Sequence, residues 1–271
     1  MPIHKTSFVT APDLVPRPVM AVGFEVATGG VELDFHQHRK AQLIFMLRGA
    51  VTCEAARGLW IVPSHCAIWI PGGMRHHVRG VGILEGCCLF VEPDAVPALS
   101  ETCCAVSVTP LLRELLIRCA GLPALYPLSG TESRLVALLL DELGTAPVEK
   151  LHLPMPSDAR LRKLAEMMTA NPADRATMHA WARRIGVSER TLSRILLKET
   201  GMSFGHWRRQ LQIFLALRWL SQGASVQSVS ADLGYESAGS FVTMFRKALG
   251  TSPARYMTQR LAGSLRPSPQ V

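Results

Sequence analysis

Short apolar runs, rich in β-branched residues, alternate with turn residues in the first part of the chain. Four of these runs occupy residues 42–47, 59–62, 67–70 and 83–91. Arg57-Gly58 and Pro71-Gly72-Gly73 supply turn signals between them. Short strands at this spacing predict a β-sandwich or a β-barrel.

The apolar spacing changes to three and four residues farther along the chain. Leucines at this spacing mark residues 109–120 and 132–143 as amphipathic helices. We expect the first helix to lie across the sheets, and the wide stripe of the second predicts an antiparallel or crossed contact in a homodimer. Residues 144–157 carry three prolines and no periodicity, so we expect a domain boundary there.

The last third of the chain contains one pattern twice. Residues 181–207 resemble residues 229–256, with one extra residue in the second copy. The matched pairs are Gly186 with Gly234, Leu192 with Phe241, Leu196 with Phe245, Lys198 with Lys247, Gly201 with Gly250, Ser203 with Ser252, and Trp207 with Tyr256. Such a repeat indicates one supersecondary unit used twice.

Each copy has the residues that punctuate a helix-turn-helix. A first helix near residues 178–184 is expected to end at Gly186, because glycine suits the left-handed conformation after a helix. Ser188 is then a predicted N-cap, and Leu192 and Leu196 supply the buried face of the next helix.

One continuous helix is predicted between the two copies, over residues 204–221. Ser252 and Pro253 are expected to begin a closing helix. A rigid connecting helix can hold two recognition helices about 34 Å apart, which places them in successive major grooves of DNA.

The charge of the chain is concentrated in the same region. The net charge is +8, with 12 basic against 14 acidic residues up to position 150 and 17 against 7 beyond it. This asymmetry is typical of a polyanion-binding half joined to a neutral half. No apolar run is long enough to span a bilayer, and the first residues lack a signal-peptide core, so a cytoplasmic protein without a membrane partner is expected.

The segment from about residue 157 to residue 259 resembles the DNA-binding domain of the AraC/XylS family of bacterial transcription regulators. The second copy, DLGYESAGSFVTMFRKALGTSPARYM, is similar to the family's signature segment. The resemblance implies double-stranded DNA and RNA polymerase as partners. It also implies base-reading positions, which are Arg190, Ser193 and Arg194 in the first unit and Ala238, Gly239, Ser240 and Thr243 in the second.

The chemistry of these positions predicts an unequal division of labour. Arginine donates two hydrogen bonds to guanine, whereas a hydroxyl makes one weaker contact. The first unit should therefore dominate sequence choice, while Arg246 and Lys247 of the second unit bind phosphates. The full set of expected DNA contacts is Ser188, Arg190, Thr191, Ser193, Arg194, Lys198, Ser237, Ser240, Thr243, Arg246 and Lys247.

A second motif lies in the N-terminal half. His36, His38 and Gln42 stand at even spacing, which predicts one face of one strand. Gly49 and a turn that leads to His76 complete the order HxHxxxQ…G…PxGxxH. This order resembles the two motifs of the cupin β-barrel, which surround a metal ion. The match covers about residues 35–78 and is similar to the sensor domain of AraC-family regulators, especially the subgroup linked to drug-efflux genes.

Glutamine stands where cupins usually have glutamate. Three imidazoles suit Zn, Fe, Ni or Mn, but a neutral amide replaces the anionic ligand. Three roles therefore remain open. The first is that a divalent metal is bound by His36, His38 and His76. The second is that these histidines line a small-molecule pocket together with Gln42 and Trp69. The third is that they form hydrogen bonds that hold the strands. His65 and His77 are expected to face outward or into loops, and Trp60 and Trp69 suit the core better than a ligand platform.

The resemblance divides the chain into five parts. These are a cupin-like β-barrel sensor over 1–105, a helical dimerisation or packing segment over 106–146, a linker over 147–157, tandem helix-turn-helix units over 158–260 and a disordered tail over 261–271. The fold class is α+β multidomain, with an N-terminal barrel and an all-α C-terminal domain.

Two other classes of function compete with a ligand-responsive regulator. A cupin-type metalloenzyme is the first, but the missing carboxylate and the DNA-binding half speak against an enzyme. A thiol-based sensor is the second. The seven cysteines are odd in number and contain no CxxC, which argues against a secreted disulfide framework and against a zinc finger. Two vicinal pairs, Cys87-Cys88 and Cys103-Cys104, could respond to oxidants, although a structural role is favoured.

Overall fold

A computed structural model describes residues 11–26, 30–55, 58–63, 66–80, 83–95, 101–149 and 152–262. They fall into two compact units. The first covers the described residues up to Glu149 apart from Gly58 and Leu59, which are grouped with the second, and the rest of the second follows from His152. The predicted α+β multidomain class is confirmed, because the first unit is built on sheets and the second on helices.

The described residues of the N-terminal part form ten strands. They are β1 Val19–Val26, β2 Val31–His36, β3 Ala41–Arg48, β4 Ala50–Ala55, β5 Gly58–Pro63, β6 Cys66–Ile70, β7 His76–Gly80, β8 Leu84–Val91, β9 Cys104–Ser107 and β10 Val148–Glu149. One sheet has the order β1-β8-β3-β6-β9-β10, and in the other β5, β4, β7 and β2 are neighbours in that order. The four predicted strands correspond to β3, β5, β6 and β8.

The core of the first unit lies between the first sheet and two helices, α1 Pro110–Ala120 and α2 Thr131–Gly144. Leu43 of β3 is fully buried there together with Leu116 and Leu139. As expected, α1 lies against the sheet, next to β1 and β8. The wide stripe of α2 is divided in the structure, because Leu139 is buried whereas Leu138 is 44% exposed.

The second unit contains a short strand, β11 His152–Pro154, and seven helices among its described residues. The helices are α3 Ala159–Ala170, α4 Met178–Arg184, α5 Glu189–Thr200, α6 Phe204–Ser221, α7 Val226–Asp232, α8 Ala238–Leu249 and α9 Pro253–Ala262. Both α4 and α6 have the predicted bounds. β10 and β11 fall within the expected linker, and α9 includes residues 261 and 262 of the expected tail, whose remaining residues lie outside the described ranges.

The middle of helix α6 is buried on all sides within its own unit, because the consecutive residues 213–217 are all buried. Nine of its residues are buried, and it packs against α5, α7 and β11. Within the described ranges, no helix is both long and apolar enough to cross a membrane.

Candidate DNA interface and histidine cluster

The first helix-turn-helix consists of α4 and α5. Gly186 adopts φ 72° in the turn, and Ser188 caps α5 by accepting a hydrogen bond of 3.2 Å from the Thr191 amide. The Ser188 hydroxyl also donates to Thr191 Oγ1 at 3.0 Å. Leu192 and Leu196 are buried, so the orientation of α5 about its axis is fixed by packing.

That orientation exposes a basic face on α5. Arg190, Arg194 and Lys198 follow one another at intervals of one turn, and all three are exposed. Thr191 and Ser193 beside them are half-buried. Two exposed guanidinium groups one turn apart can each donate paired hydrogen bonds to a base edge or a phosphate.

The second helix-turn-helix, formed by α7 and α8, repeats the same local structure. Gly234 has φ 77°, Ser237 Oγ accepts from the Ser240 amide at 3.2 Å, and the two hydroxyls are 3.0 Å apart. Phe241 and Phe245 are fully buried in place of the leucines of the first unit. The repeat predicted from the sequence is therefore also a repeat of hydrogen bonds.

The exposed face of α8 has different chemistry. Thr243 donates its hydroxyl to the Gly239 carbonyl at 2.9 Å, so its oxygen remains only as an acceptor toward solvent. The other exposed predicted contacts on this helix are Ala238, Gly239, Ser240, Arg246 and Lys247. Its first turns are small and polar, and its cations stand near the C-terminal end.

The histidine cluster joins two sheet strands and a turn. His36 ends β2 and is paired in register with His76 at the start of β7. The ligand nitrogens of His36, His38 and His76 all lie within 4.8 Å of one another. Gln42 Oε1 is 3.1 Å from His38 Nε2 and 2.9 Å from His76 Nε2. The structure thus brings together four of the five predicted pocket residues.

The prediction that His36, His38 and Gln42 share one strand is wrong. The chain leaves β2 after His36 and enters β3 only at Ala41. Asp13 accepts hydrogen bonds from the amides of Arg39 and Lys40, which a neighbouring strand would otherwise use. The side chains therefore converge across a turn.

Trp69 does not join the cluster. It is paired with Leu43, the neighbour of Gln42 on β3, and adjacent residues of a strand face opposite sides of the sheet. Trp69 accordingly belongs to the core that contains Leu43 and Leu112. On the side of Gln42, the ring of Phe90 lies 5.1 Å from that of His38.

The tautomers of the histidines follow from their backbone contacts. Each Nδ1 faces a carbonyl oxygen, that of Asp34 for His36, of Lys40 for His38 and of Met74 for His76. A neutral imidazole that donates from Nδ1 keeps a lone pair on Nε2. Burial lowers the pKa of His76 to about 4, so this imidazole is neutral at physiological pH.

The lone pair of His76 Nε2 consequently points at an oxygen lone pair of Gln42. Two acceptors at this distance repel each other. A cation between them removes the conflict, as does an amide turned so that its NH₂ group donates to both His38 and His76. The same atoms therefore fit a divalent metal, a ligand that donates hydrogen bonds to the Nε2 atoms in place of the amide, or a turned amide that holds the strands together.

The other histidines and Trp60 lie outside the cluster or outside the described residues. His77 faces away from the cluster, where it stacks on Phe35 at 5.5 Å and lies 3.4 Å from Glu32. Trp60 is buried, and His65 lies outside the described residues. Burial raises the pKa of Cys88 and of Cys103 to about 12, so both thiols are protonated at physiological pH.

Two helix-turn-helix units with exposed polar and basic faces, in the basic part of the chain, define a DNA-binding transcription regulator. Comparison with known proteins supports the same class of protein. The family profile "Helix-turn-helix domain" matches residues 181–259. The HTH-type transcriptional regulator NimR of Escherichia coli is 43% identical over 241 residues, which cover 88% of each chain. The chain belongs to the AraC/XylS family of bacterial transcription regulators.

More distant similarities cover less of the chain or are weaker. The HTH-type transcriptional regulator RipA of Corynebacterium glutamicum is 32% identical over 119 residues, 44% of this chain and 36% of RipA. Among solved structures, ToxT from Vibrio cholerae is 8% identical with a TM-score of 0.39, over 89% of this chain and 98% of ToxT. A TM-score at this level supports no conclusion about ligands.

Proposed function

We propose that this regulator responds to an effector that binds at the histidine cluster of a cupin-type N-terminal domain. The observation that supports the proposal is the convergence of His36, His38, His76 and Gln42 within a largely apolar unit. Polar side chains are costly to bury unless they gain partners. His76 and Gln42 are buried and His36 and His38 are half-buried, so a ligand that pairs with the facing Nε2 and Oε1 atoms would satisfy them in a partly dry site.

A small molecule with hydrogen-bond donors is the first candidate effector, because the Nε2 atoms of His38 and His76 act as acceptors. A divalent cation such as Zn²⁺, Ni²⁺ or Mn²⁺ is the second, and the Nε2 and Oε1 atoms that face each other favour it. The protein ligands would then be the three imidazoles and Gln42. When bound, the cation would supply positive charge that attracts an anionic effector to this neutral donor set.

The output is specific DNA binding by the C-terminal compact unit, which contains both helix-turn-helix units. Arg190 and Arg194 would read base edges in the first half-site, and Arg246 and Lys247 would hold phosphates in the second. An effector changes this output only if it binds two states of the protein with different affinity. By family resemblance, the target would be a neighbouring efflux-transporter gene, and regulation would act on RNA polymerase.

A homodimer through α2 fits the exposed part of that helix. Leu138 is exposed, and Arg134 and Asp141 flank it on the same face at a spacing of four and three residues. When two copies of this helix pack antiparallel, Leu138 meets its counterpart, and Arg134 of each copy faces Asp141 of the other. The face is therefore complementary to itself in both shape and charge.

The effector site is tested with wild type, His38→Ala and His77→Ala. Isothermal titration with Zn²⁺, Ni²⁺ and Mn²⁺ and a melting-temperature screen of small molecules identify what binds. We expect each genuine effector to bind wild type and His77→Ala, to bind His38→Ala at least about tenfold more weakly, and to change the affinity for operator DNA. Equal binding to both variants would place the effector site elsewhere.

A further inference from the structure

Residues 171–176, between α3 and α4, contact both helix-turn-helix units and the helix that joins them. We name them the bridging segment. On the side of the first unit, Asp174 Oδ2 lies 2.6 Å from Arg184 Nη1 of α4, and this guanidinium holds the pKa of Asp174 below its usual value. From α6, Arg208 donates to the carbonyls of Asp174 at 2.5 Å and Ala176 at 3.3 Å.

Arg175 connects the bridging segment to the second helix-turn-helix through two hydrogen bonds. Arg175 Nε donates to the Gly234 carbonyl at 2.6 Å, and its Nη1 donates to Glu236 Oε1 at 2.6 Å. Gly234 and Glu236 lie in the turn between α7 and α8. One guanidinium thus holds the turn that leads directly into the second recognition helix.

The backbones meet at the same place. A Cβ on Gly234 would lie 2.6 Å from the Ala173 carbonyl oxygen and 2.8 Å from its Cα, distances that real Cβ atoms essentially never show. The matching Gly186 of the first unit has no described atom within 4 Å of such a Cβ. Both glycines need a positive φ, but only Gly234 also needs this close contact with the bridging segment.

The second helix-turn-helix also contacts α6, through the packing of α7 and through a hydrogen bond from the turn. Tyr235, also in this turn, donates its hydroxyl to Gln212 Oε1 at 2.9 Å. The bridging segment is itself tied to α6 through Arg208. The turn before α8 is therefore held from two directions, by α6 directly and by the bridging segment.

We propose that the bridging segment, through Arg175, sets the orientation of α8 relative to α5 and so determines which half-site spacing the protein accepts. The connecting helix alone fixes a separation along its axis. Rotation of the second unit about that axis must be limited by lateral contacts, and the contacts of Arg175 are lateral. Arg175 is a positioning residue here, and the proposal rests on DNA binding by both units.

The ion pair itself adds little to folding stability. The Arg175 and Glu236 side chains are 53% and 83% exposed, and exposed pairs contribute about 0–1 kcal/mol. Variants at either residue should therefore fold. Their charge changes are opposite, because Arg175→Ala removes a positive charge and Glu236→Ala removes a negative one. An effect that both variants share cannot come from attraction to DNA.

The experiment uses the full chain and a duplex that the wild-type protein selects from random-sequence DNA. A second duplex carries one inserted base pair between the half-sites. The measured quantity is the dissociation constant for the lengthened duplex divided by that for the selected duplex. It is determined for wild type, Arg175→Ala, Glu236→Ala and the control Arg162→Ala. The control removes an exposed positive charge from α3.

We expect Arg175→Ala and Glu236→Ala both to lower the ratio, by about tenfold and about threefold, while the melting temperature and the ratio of Arg162→Ala stay as in wild type. The proposal is overturned if both variants keep the wild-type ratio. It is also overturned if the two variants change affinity in opposite directions on both duplexes, as charge alone would require. Failure of wild type to select any DNA would instead contradict DNA binding itself.

Discussion

Gly186 and Gly234 occupy the same position in the two units and have different neighbours. Replacement by alanine costs about 1 kcal/mol wherever φ is positive, because the side chain is strained there. We expect Gly186→Ala to lower the free energy of unfolding by about that amount. Gly234→Ala should cost about 2 kcal/mol more, since its Cβ would also collide with the Ala173 backbone.

Urea unfolding of both variants measures this difference, and each serves as the control for the other. Equal destabilisation would mean that the second unit has no close contact with the bridging segment.

Gln42 offers a test of the donor set at the level of one atom. Gln42→Glu supplies the anionic oxygen that cupins usually place here. We expect it to raise the affinity for Zn²⁺ or Ni²⁺ by about tenfold or more, because a carboxylate binds a divalent cation more strongly than an amide. Without metal it should lower stability, because a buried carboxylate is costly to desolvate.

Titration calorimetry and melting curves with and without metal measure both effects, with Gln42→Asn as the neutral control. An unchanged metal affinity in Gln42→Glu would show that the cluster does not bind cations through this position.

Local signals predicted single residues well, and signals that depend on pairing did not. The N-cap at Ser188 and the left-handed Gly186 follow from neighbouring residues alone. Trp69 and Gln42 face opposite sides of the sheet, which follows only from the register of β3 and β6, and no local residue pattern reveals that register. The even spacing of His36 and Gln42 likewise did not reveal the turn between them. The backbone amides of that turn donate to Asp13, which is distant in the sequence.

The two recognition helices should contribute unequally to specificity. Arg194→Ala, or Arg190→Ala, is expected to weaken binding to the selected duplex by about 1–3 kcal/mol, because each arginine can pair with a base edge. Thr243→Ala should cost about 0.5 kcal/mol, since its hydroxyl donates to its own helix.

Fluorescence anisotropy on the selected duplex and on scrambled DNA separates the two roles. If Arg194→Ala weakens binding to the selected duplex and to scrambled DNA by the same factor, this arginine contacts phosphate and does not read bases.

The dimer contact of α2 is tested by exchange of its charges. Arg134→Asp and Asp141→Arg should each weaken the dimer by about 1 kcal/mol or more, because like charges then face each other across two symmetric pairs. The double variant should restore wild-type association, which sedimentation velocity measures over a range of concentrations. If the dimer dissociation constant is the same in wild type and in all three variants, this face is not the interface.

The sequence predicted α4 near its observed bounds and α6 as one continuous helix, because each begins after a capping residue. It did not predict the bridging segment, which has no repeat or motif. The function of that segment is visible only when Arg175 and the turn around Gly234 are seen in contact, 59 residues apart in the chain. Several strands with mixed polarity, such as β4 and β7, were also not predicted, since their buried positions depend on their neighbours.

At the scale of the whole molecule, charge and specificity must be separated. The net charge of +8 gives affinity for any polyanion, and that affinity falls steeply as salt rises. Two correctly spaced recognition helices add contacts that do not depend on counterion release. Specific binding should therefore persist where non-specific binding is lost.

The most direct test of the account is the salt-dependent affinity of the full chain for the DNA upstream of its own gene and its neighbours, compared with scrambled DNA. We predict a preference of about 10³-fold or more at physiological salt, and a footprint over two segments about one helical turn apart. Equal affinity for both DNAs at every salt concentration, with a steep common decline, would contradict sequence-specific recognition by the two helix-turn-helix units.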